Sequence, residues 1–114
     1  MIIKKGDKLH IITRRLFDGD LRRHFVGEVE EVSGDLVLLA GFAFIFSPNT
    51  NDYVRMPERR QRIFGLASSG LVINFIPGEV IIDDLVYWIN RENRLVLTNG
   101  SAYSLDINEF GASR

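Results

Sequence analysis

The chain has 114 residues and a mass of 13.0 kDa, with 46% hydrophobic residues, 25% charged residues and a net charge of −1. This size predicts one globular domain over residues 1–114, and the near-neutral charge excludes a global field that would attract nucleic acid or anionic membrane. The absence of cysteine excludes disulfides and thiolate chemistry. No signal-peptide pattern or membrane-spanning apolar run is present, so a cytoplasmic protein without membrane association is expected.

Alternating apolar and β-branched residues predict strands in the first third of the chain. Lys8–Phe17 and Leu21–Val32 are predicted to form an antiparallel hairpin around the Asp-Gly turn at Asp18–Asp20, since Asp-Gly readily supplies positive φ angles. The alternation of the second arm falters near Glu30–Glu31, which predicts a β-bulge there, and Gly27 is a second predicted bending point.

The middle of the chain combines the most apolar segment with the most polar one. Leu36–Phe46 is apolar at both alternating sets of positions, which predicts a strand buried on both faces. Ser47–Arg62 is polar, contains two prolines and two asparagines, and is predicted to be one long loop. Two short strands, "IFGLA" and "LVINFI", are predicted to follow, separated by a turn at Ser68–Gly70.

The last third offers one ambiguous segment and one clear hairpin. Glu79–Asn93 has apolar residues at helical spacing, yet its β-branched density favours strands at Val80–Ile82 and Leu85–Ile89, so helix and strand both stay open. Arg94–Leu105 contains Asn-Gly between two alternating arms and predicts a hairpin. The whole chain therefore predicts about seven or eight short strands, as in a small barrel or sandwich.

The order of these elements resembles the Sm-like (Lsm) family of strongly bent five-stranded barrels, which are related to SH3-like barrels. The second motif of that family reads apolar-Arg-Gly, two residues, apolar, two residues, apolar. Here Ser69-Gly70, Leu71-Val72, Ile73, Asn74-Phe75 and Ile76 reproduce that spacing. The resemblance covers 6–77 and implies an all-β, strongly bent small barrel of Sm-like type, with strands and a β-hairpin appended at 78–110.

The chain departs from the family at the residues that contact RNA. Ser69 stands where the family has arginine, although Gly70 matches the glycine of the motif. The turn Ser33–Asp35 is short and lacks the asparagine that relatives place after the second strand, whereas Gly27 matches the glycine of that strand. Because the missing arginine and asparagine stack on and hydrogen-bond to RNA, these departures separate the fold expectation from the RNA-binding expectation.

A weaker resemblance is to small-barrel nucleoside phosphatases, whose opening also has an Asp-Gly turn, an Arg/His and aromatic return strand and a long apolar strand. That family holds a divalent metal with a cluster of carboxylates. The corresponding candidates are Asp83, Asp84, Asp106 and Glu109, and they follow no metal-ligand motif residue by residue. The alternative function is therefore a small metal-dependent phosphatase of nucleoside di- and triphosphates.

Arginines in the second half of the polar segment are the candidate contacts to nucleic acid, because guanidinium pairs with phosphate and a nearby aromatic can stack on a base. The competing interpretation is a solvated charged surface. Ser69 and Gly70 join the candidate set through the resemblance. The candidate residues are Tyr53, Arg55, Arg59, Arg60, Arg62, Ser69 and Gly70.

Two other groups of polar residues are predicted to be structural. Ser68 and Ser69 lack the Gly-x-Ser-x-Gly pattern and a neighbouring base, which indicates turn residues rather than nucleophiles. His10 and His24, the only histidines, could face each other across the first hairpin, but no metal-ligand spacing surrounds them. No catalytic residue, metal or cofactor is predicted.

The strand Leu71–Ile76 contains no lysine, proline or charge and needs a partner if it lies at a sheet edge. In Sm-like proteins the equivalent strand pairs with a neighbouring subunit and closes a ring. The sequence therefore favours a non-enzymatic, self-assembling binding or scaffold module with RNA as an implied ligand. Leu71, Ile73 and Phe75 are the predicted edge residues of this homo-oligomer.

Overall fold

The computed structural model describes residues 2–14, 22–50, 52–67 and 70–107. In these ranges the chain forms nine strands and one short 3₁₀ helix, so the predicted all-β class is confirmed. The strands are β1 (Lys8–Thr13), β2 (Arg23–Ser33), β3 (Leu36–Ser47), β4 (Asp52–Arg55), β5 (Arg60–Gly65), β6 (Leu71–Ile76), β7 (Val86–Ile89), β8 (Leu95–Thr98) and β9 (Ser104–Asp106), and the 3₁₀ helix is Ile82–Asp84.

Six strands form one antiparallel sheet in the order β4-β3-β2-β1-β6, and β5 pairs with β3. The long strand β3 pairs along one edge with β2, while its other edge is shared between β5 at Leu36–Gly41 and β4 at Phe44–Ser47. The predicted hairpin of β1 and β2 is confirmed, with Leu9 opposite Gly27. The predicted Asp-Gly turn, Asp18–Asp20, lies outside the described residues.

The middle of β2 bends where the sequence predicted it. The register against β3 shifts between Val29 and Glu31, which confirms the bulge. Gly27 lies opposite Gly41, and a Cβ atom at Gly41 would lie only 1.9 Å from the carbonyl oxygen of Val26. The two strands therefore approach each other here in a way that only glycine permits.

Two predictions for irregular segments were wrong. The predicted loop Ser47–Arg62 contains β4 and the start of β5, because the outer edge of β3 supplies hydrogen-bond partners that outweigh the local proline and asparagine signals. The predicted strand Val80–Ile82 is also absent, and the 3₁₀ helix begins at Ile82 instead. The strand predicted at Leu85–Ile89 is confirmed as β7.

The C-terminal strands form a second antiparallel sheet in the order β7-β8-β9. The predicted hairpin of β8 and β9 is confirmed, but its connection is wider than the predicted two-residue turn because the last pair joins Thr98 to Ser104. Asn99 organises this loop, since its side-chain oxygen accepts hydrogen bonds from the backbone amides of Ser101 and Tyr103.

Apolar side chains on the two faces of the six-stranded sheet build two cores. The inner core consists of Leu9, Ile11, Phe25, Val29, Val37, Leu39 and Ala43. Phe64 of β5 and Leu71 of β6 both pack against it although these strands belong to opposite margins of the sheet. The sheet must therefore curve strongly around the inner core, as a bent small barrel requires.

The outer core lies between the other face of this sheet and the C-terminal sheet. It consists of Val26, Phe42, Phe44, Tyr53, Ile76, Val80, Ile82, Leu85, Tyr87, Leu95 and Leu97. The appended sheet thus covers the convex face of the curved sheet. The prediction that β3 is buried on both faces is confirmed, because it supplies side chains to both cores.

Candidate functional site

The arginines singled out in the sequence lie on β4, on β5 and in the connection between them, and most of them have partners within the chain. Arg55 donates hydrogen bonds to the backbone carbonyls of Asp83 and Leu85, and its guanidinium lies 5.1 Å from the ring centroid of Phe42. Arg59 forms an ion pair of 2.9 Å with Asp83. Arg55 and Arg59 therefore link the 3₁₀ helix to the curved sheet.

The other two arginines differ from each other in their surroundings. Arg60 forms an exposed ion pair of 3.1 Å with Glu58. Arg62 has its guanidinium carbon 5.9 Å from the centroid of the Phe25 ring, at the margin of the inner core. Among the described residues, Arg62 has neither a carboxylate partner, as Arg59 and Arg60 have, nor carbonyl acceptors, as Arg55 has. Its charge is therefore the least offset of the four.

The aromatic candidate Tyr53 is a buried residue of the outer core. Its ring stacks on that of His24, with centroids 4.4 Å apart and an interplanar angle of 26°. Because its exposed fraction is 6%, this ring offers no open face to a nucleic-acid base in this conformation. Of the turn residues, Ser69 lies outside the described residues, and the carbonyl of Gly70 accepts a hydrogen bond of 2.7 Å from the Arg14 amide.

The predicted assembly residues lie on β6. Among the residues described, this strand pairs only with β1, so its other edge carries backbone groups with no strand beside them. Leu71 and Ile73 are half-buried and pack against the inner core, whereas Phe75 is 51% exposed. Val72, which the sequence did not single out, is also exposed on this strand.

A buried polar cluster joins the two sheets through both histidines and Tyr87. The Nε2 atom of His10 lies 2.7 Å from the Tyr87 hydroxyl, and the Nδ1 atom of His24 is also hydrogen-bonded to it. Asn74 extends the cluster, with its amide nitrogen 3.3 Å from the Nδ1 atom of His10. Tyr87 thus bridges two strands of the curved sheet from the C-terminal sheet.

The hydrogen bonds of this cluster all run in one direction, from Asn74 to His24. The Asn74 amide donates to His10, His10 donates through Nε2 to the Tyr87 oxygen, and the Tyr87 hydroxyl donates to Nδ1 of His24. Each donor in this series has an acceptor when both imidazoles are neutral. The arrangement therefore selects one tautomer of His10 and the neutral form of His24.

Burial makes these imidazoles poor bases. Desolvation lowers the pKa of His10 to about 4, and desolvation together with the nearby His10 lowers the pKa of His24 to about 3. Burial also raises the pKa of Tyr87 well above its usual value, with smaller contributions from Tyr53 and Tyr103. At neutral pH the cluster is an uncharged hydrogen-bonded contact between the sheets.

Only part of this cluster is predictable from the sequence. The histidines do lie on one face of the hairpin, but diagonally rather than opposite each other, because His10 pairs with Val26 and His24 with Ile12. Their placement at alternate apolar positions was a signal of burial. Tyr87, distant in sequence, was missed because no local pattern connects it with the hairpin.

The carboxylates of the alternative phosphatase interpretation are dispersed. Asp83 and Asp84 lie in the 3₁₀ helix, and Asp106 of β9 forms an ion pair of 2.9 Å with Arg94. Glu109 lies outside the described residues. Within the ranges that the structure describes, no group of three or more His, Asp or Glu side chains is placed to hold a metal ion.

Across the same part of the chain, no helix has the length and apolar character needed to cross a membrane. No family model, curated protein or solved structure matches the chain.

Proposed function

We propose that the protein is a non-enzymatic, self-assembling binding module of Sm-like type, whose subunits join by pairing strands at the margins of the curved sheet. The observation that carries this proposal is the pair of open edges on one sheet. In the described part of the chain, β5 pairs only with β3 and β6 pairs only with β1. Both strands have six residues, so their lengths are matched.

The side chains at these edges support pairing between different edges. On β5, Ile63 is 68% exposed, and Leu36 of the neighbouring strand is exposed as well. On β6, Val72 and Phe75 are exposed, and the strand carries no charged residue that would discourage pairing. Joining β5 of one copy to β6 of the next satisfies both edges and covers apolar surface.

Such a contact is heterologous, because each subunit uses one surface to bind the preceding copy and another to bind the next. A heterologous contact generates a ring when its rotation closes and a filament when it does not. In Sm-like proteins the equivalent contact closes a ring, and we propose the same closure here. The expected product is a discrete ring rather than a dimer built on a two-fold axis.

RNA is the ligand class that we propose for this module, on the strength of the family resemblance and the arginine-rich β5 strand. Because phosphate contacts release counterions, RNA affinity should fall steeply as salt is raised. Fluorescence anisotropy with a labelled single-stranded RNA at two salt concentrations measures this dependence. Affinity that does not change with salt, or no binding at low salt, would contradict the RNA part of the proposal.

Light scattering coupled to gel filtration tests the assembly directly. Val72→Lys places a charge on β6, Ile63→Lys places one on β5, and each variant should lose the higher oligomer. Mixing the two variants should give a one-to-one dimer, since each retains the edge that the other lacks. Ile81→Lys is the matched control, because Ile81 is 59% exposed but lies outside both edge strands.

A monomeric wild-type protein at micromolar concentration would overturn the assembly proposal. Self-dimers of the Ile63→Lys variant alone would show that β6 pairs with itself, which contradicts the heterologous contact. Loss of the oligomer in the Ile81→Lys control would place the contact elsewhere.

A further inference from the structure

A cavity of about 330 Å³ opens at one end of the concave face of the curved sheet. Its walls come from four strands, with Thr13 of β1, Arg23 and Phe25 of β2, Ala43 of β3, and Arg62 and Phe64 of β5. These residues share the face that carries the inner core, as the alternation of each strand requires. The cavity is therefore an extension of the inner core toward solvent.

The charges in this cavity are unbalanced. Arg23 and Arg62 both line it, and none of the described lining residues is acidic. Neither guanidinium forms an ion pair with a carboxylate of the described residues. Two cations in one concave site repel each other, and an anion placed between them would relieve that repulsion.

The position of Arg62 favours an oxyanion as that ligand. Its guanidinium lies 5.9 Å from the centroid of Phe25, so the ring of a buried residue holds the cation by a cation–π contact. The N–H groups at the rim of the planar guanidinium remain available, and their fork matches two oxygens of a phosphate. Arg23, an exposed residue at the start of β2, supplies a second fork.

The apolar surface of the cavity indicates that the ligand has a second, planar part. Phe25 and Phe64 have ring centroids 5.5 Å apart with an interplanar angle of 48°, and Phe64 is only half-buried. An accessible aromatic ring beside paired arginines suits a base stacked next to its own phosphate. The volume lies at the lower end of the range for small-molecule pockets, roughly 300–1,000 Å³, which corresponds to a single nucleotide rather than a longer segment.

We infer that this cavity is a nucleotide-binding site in which Arg23 and Arg62 hold the phosphate and Phe64 stacks on the base. The inference rests on the RNA part of the proposed function only for the class of ligand, and it requires no assembly. The nucleotide could be free or part of a single strand, because both sources present the same phosphate and base.

Calorimetric titration separates these sources and tests the residues. Adenosine 5′-monophosphate and a short single-stranded oligoadenylate are the probes, and inorganic phosphate and adenosine are the matched partial ligands. We expect Arg23→Gln and Arg62→Gln each to weaken binding of the nucleotide roughly ten- to hundredfold, as for the loss of a charged hydrogen bond. Arg91→Gln is the control, since Arg91 is an exposed arginine that lies outside the cavity and outside the candidate nucleic-acid residues.

The aromatic part has its own variant and readout. Phe64→Leu keeps an apolar side chain in the core, so the fold should persist, but nucleotide affinity should fall toward that of inorganic phosphate. The Val72→Lys variant should bind the nucleotide as the wild type does, because the site lies within one chain.

Each outcome decides between the alternatives. Binding of the mononucleotide supports a free ligand, and binding of the oligonucleotide alone supports a strand, provided that both arginine variants weaken it. No binding of either probe, or unchanged binding in Arg23→Gln and Arg62→Gln, overturns the inference. RNA binding that survives both substitutions overturns this site while leaving the proposed function intact.

Discussion

Acidification should destabilise the protein through His10 and His24, because both imidazoles are buried and hydrogen-bonded in their neutral forms. Folding lowers the pKa of His10 from 6.5 to about 4 and that of His24 from 6.5 to about 3. The unfolded chain therefore takes up protons first as the pH falls. The stabilising contribution of the neutral pair is fully present above 6.5 and is lost progressively as the pH falls toward these folded values.

The size of the effect follows from these pKa values. Near pH 5 both histidines of the unfolded chain are almost fully protonated while those of the folded protein are mostly neutral, which corresponds to roughly 2 kcal/mol for each histidine. The free energy of unfolding should thus decrease by about 4 kcal/mol between pH 7.5 and pH 5. This is a large part of the total of about 5–15 kcal/mol that is usual for a domain.

Urea unfolding followed by circular dichroism at several pH values measures this loss. At ordinary denaturant sensitivities the midpoint should fall by more than about 1 M across this pH range. The His10→Gln, His24→Gln double variant is the control, because it removes both titrating groups and should have a much flatter pH dependence. An NMR titration of the folded protein gives a second check through the imidazole signals.

Equal pH slopes for the wild type and the double variant would refute the reasoning. An imidazole that titrates near its ordinary pKa in the folded protein would refute it independently of the variant. Either result would mean that the two rings are solvated or paired with an acid rather than held neutral between the sheets.

Three further substitutions test contacts described above. Tyr87→Phe should reduce the free energy of unfolding by about 1–3 kcal/mol, because it leaves buried imidazole nitrogens without a partner, and an unchanged urea midpoint would contradict this. Arg55→Met should lower the free energy of unfolding by a similar amount, because the hydrogen bonds of Arg55 to two backbone carbonyls are lost. The control Arg60→Met, at an exposed position, should change it by less than about 0.5 kcal/mol. Equal effects of the two substitutions would show that the Arg55 contact does not stabilise the fold. Gly41→Ala should cost more than about 3 kcal/mol in a thermal or urea melt because its Cβ would collide with a backbone carbonyl, whereas Gly78→Ala, with open space around it, should be tolerated.

The sequence predicted the strands whose signals are local. Alternation marked β1 and β2, the double-sided apolar pattern marked β3, and the Asn-Gly pair marked the last hairpin. β4 was missed although its pairing is local, since Ser47 and Asp52 are partners only five positions apart. Its four residues, Asp52–Arg55, place two adjacent apolar side chains between two polar ones and therefore show no alternation, and the neighbouring proline and asparagines indicate a loop.

The candidate site was less predictable because charge alone does not show where a side chain is used. Arg55 and Arg59 read as available cations, yet the 3₁₀ helix offers them carbonyl and carboxylate oxygens from a distant part of the chain. Arg62 reads the same way in sequence and differs only because its strand places it over Phe25. These differences depend on tertiary contacts. The sequence therefore shows which arginines are present but not which of them are left for a ligand.

The close contact of Gly27 with Gly41 has a consequence for how the chain avoids wrong structures. β3 is apolar on both faces, so a register shift of one residue would place one set of apolar side chains where the other set had been. The hydrophobic pattern of β3 therefore discriminates poorly against a shifted register. In a slipped alignment the Cβ of Ala40 or Phe42 would meet the neighbouring carbonyl, where only a glycine fits. Gly27 and Gly41 therefore fix the register of β2 and β3. Replacing them should yield a mixture of conformers with shifted registers as well as a less stable fold.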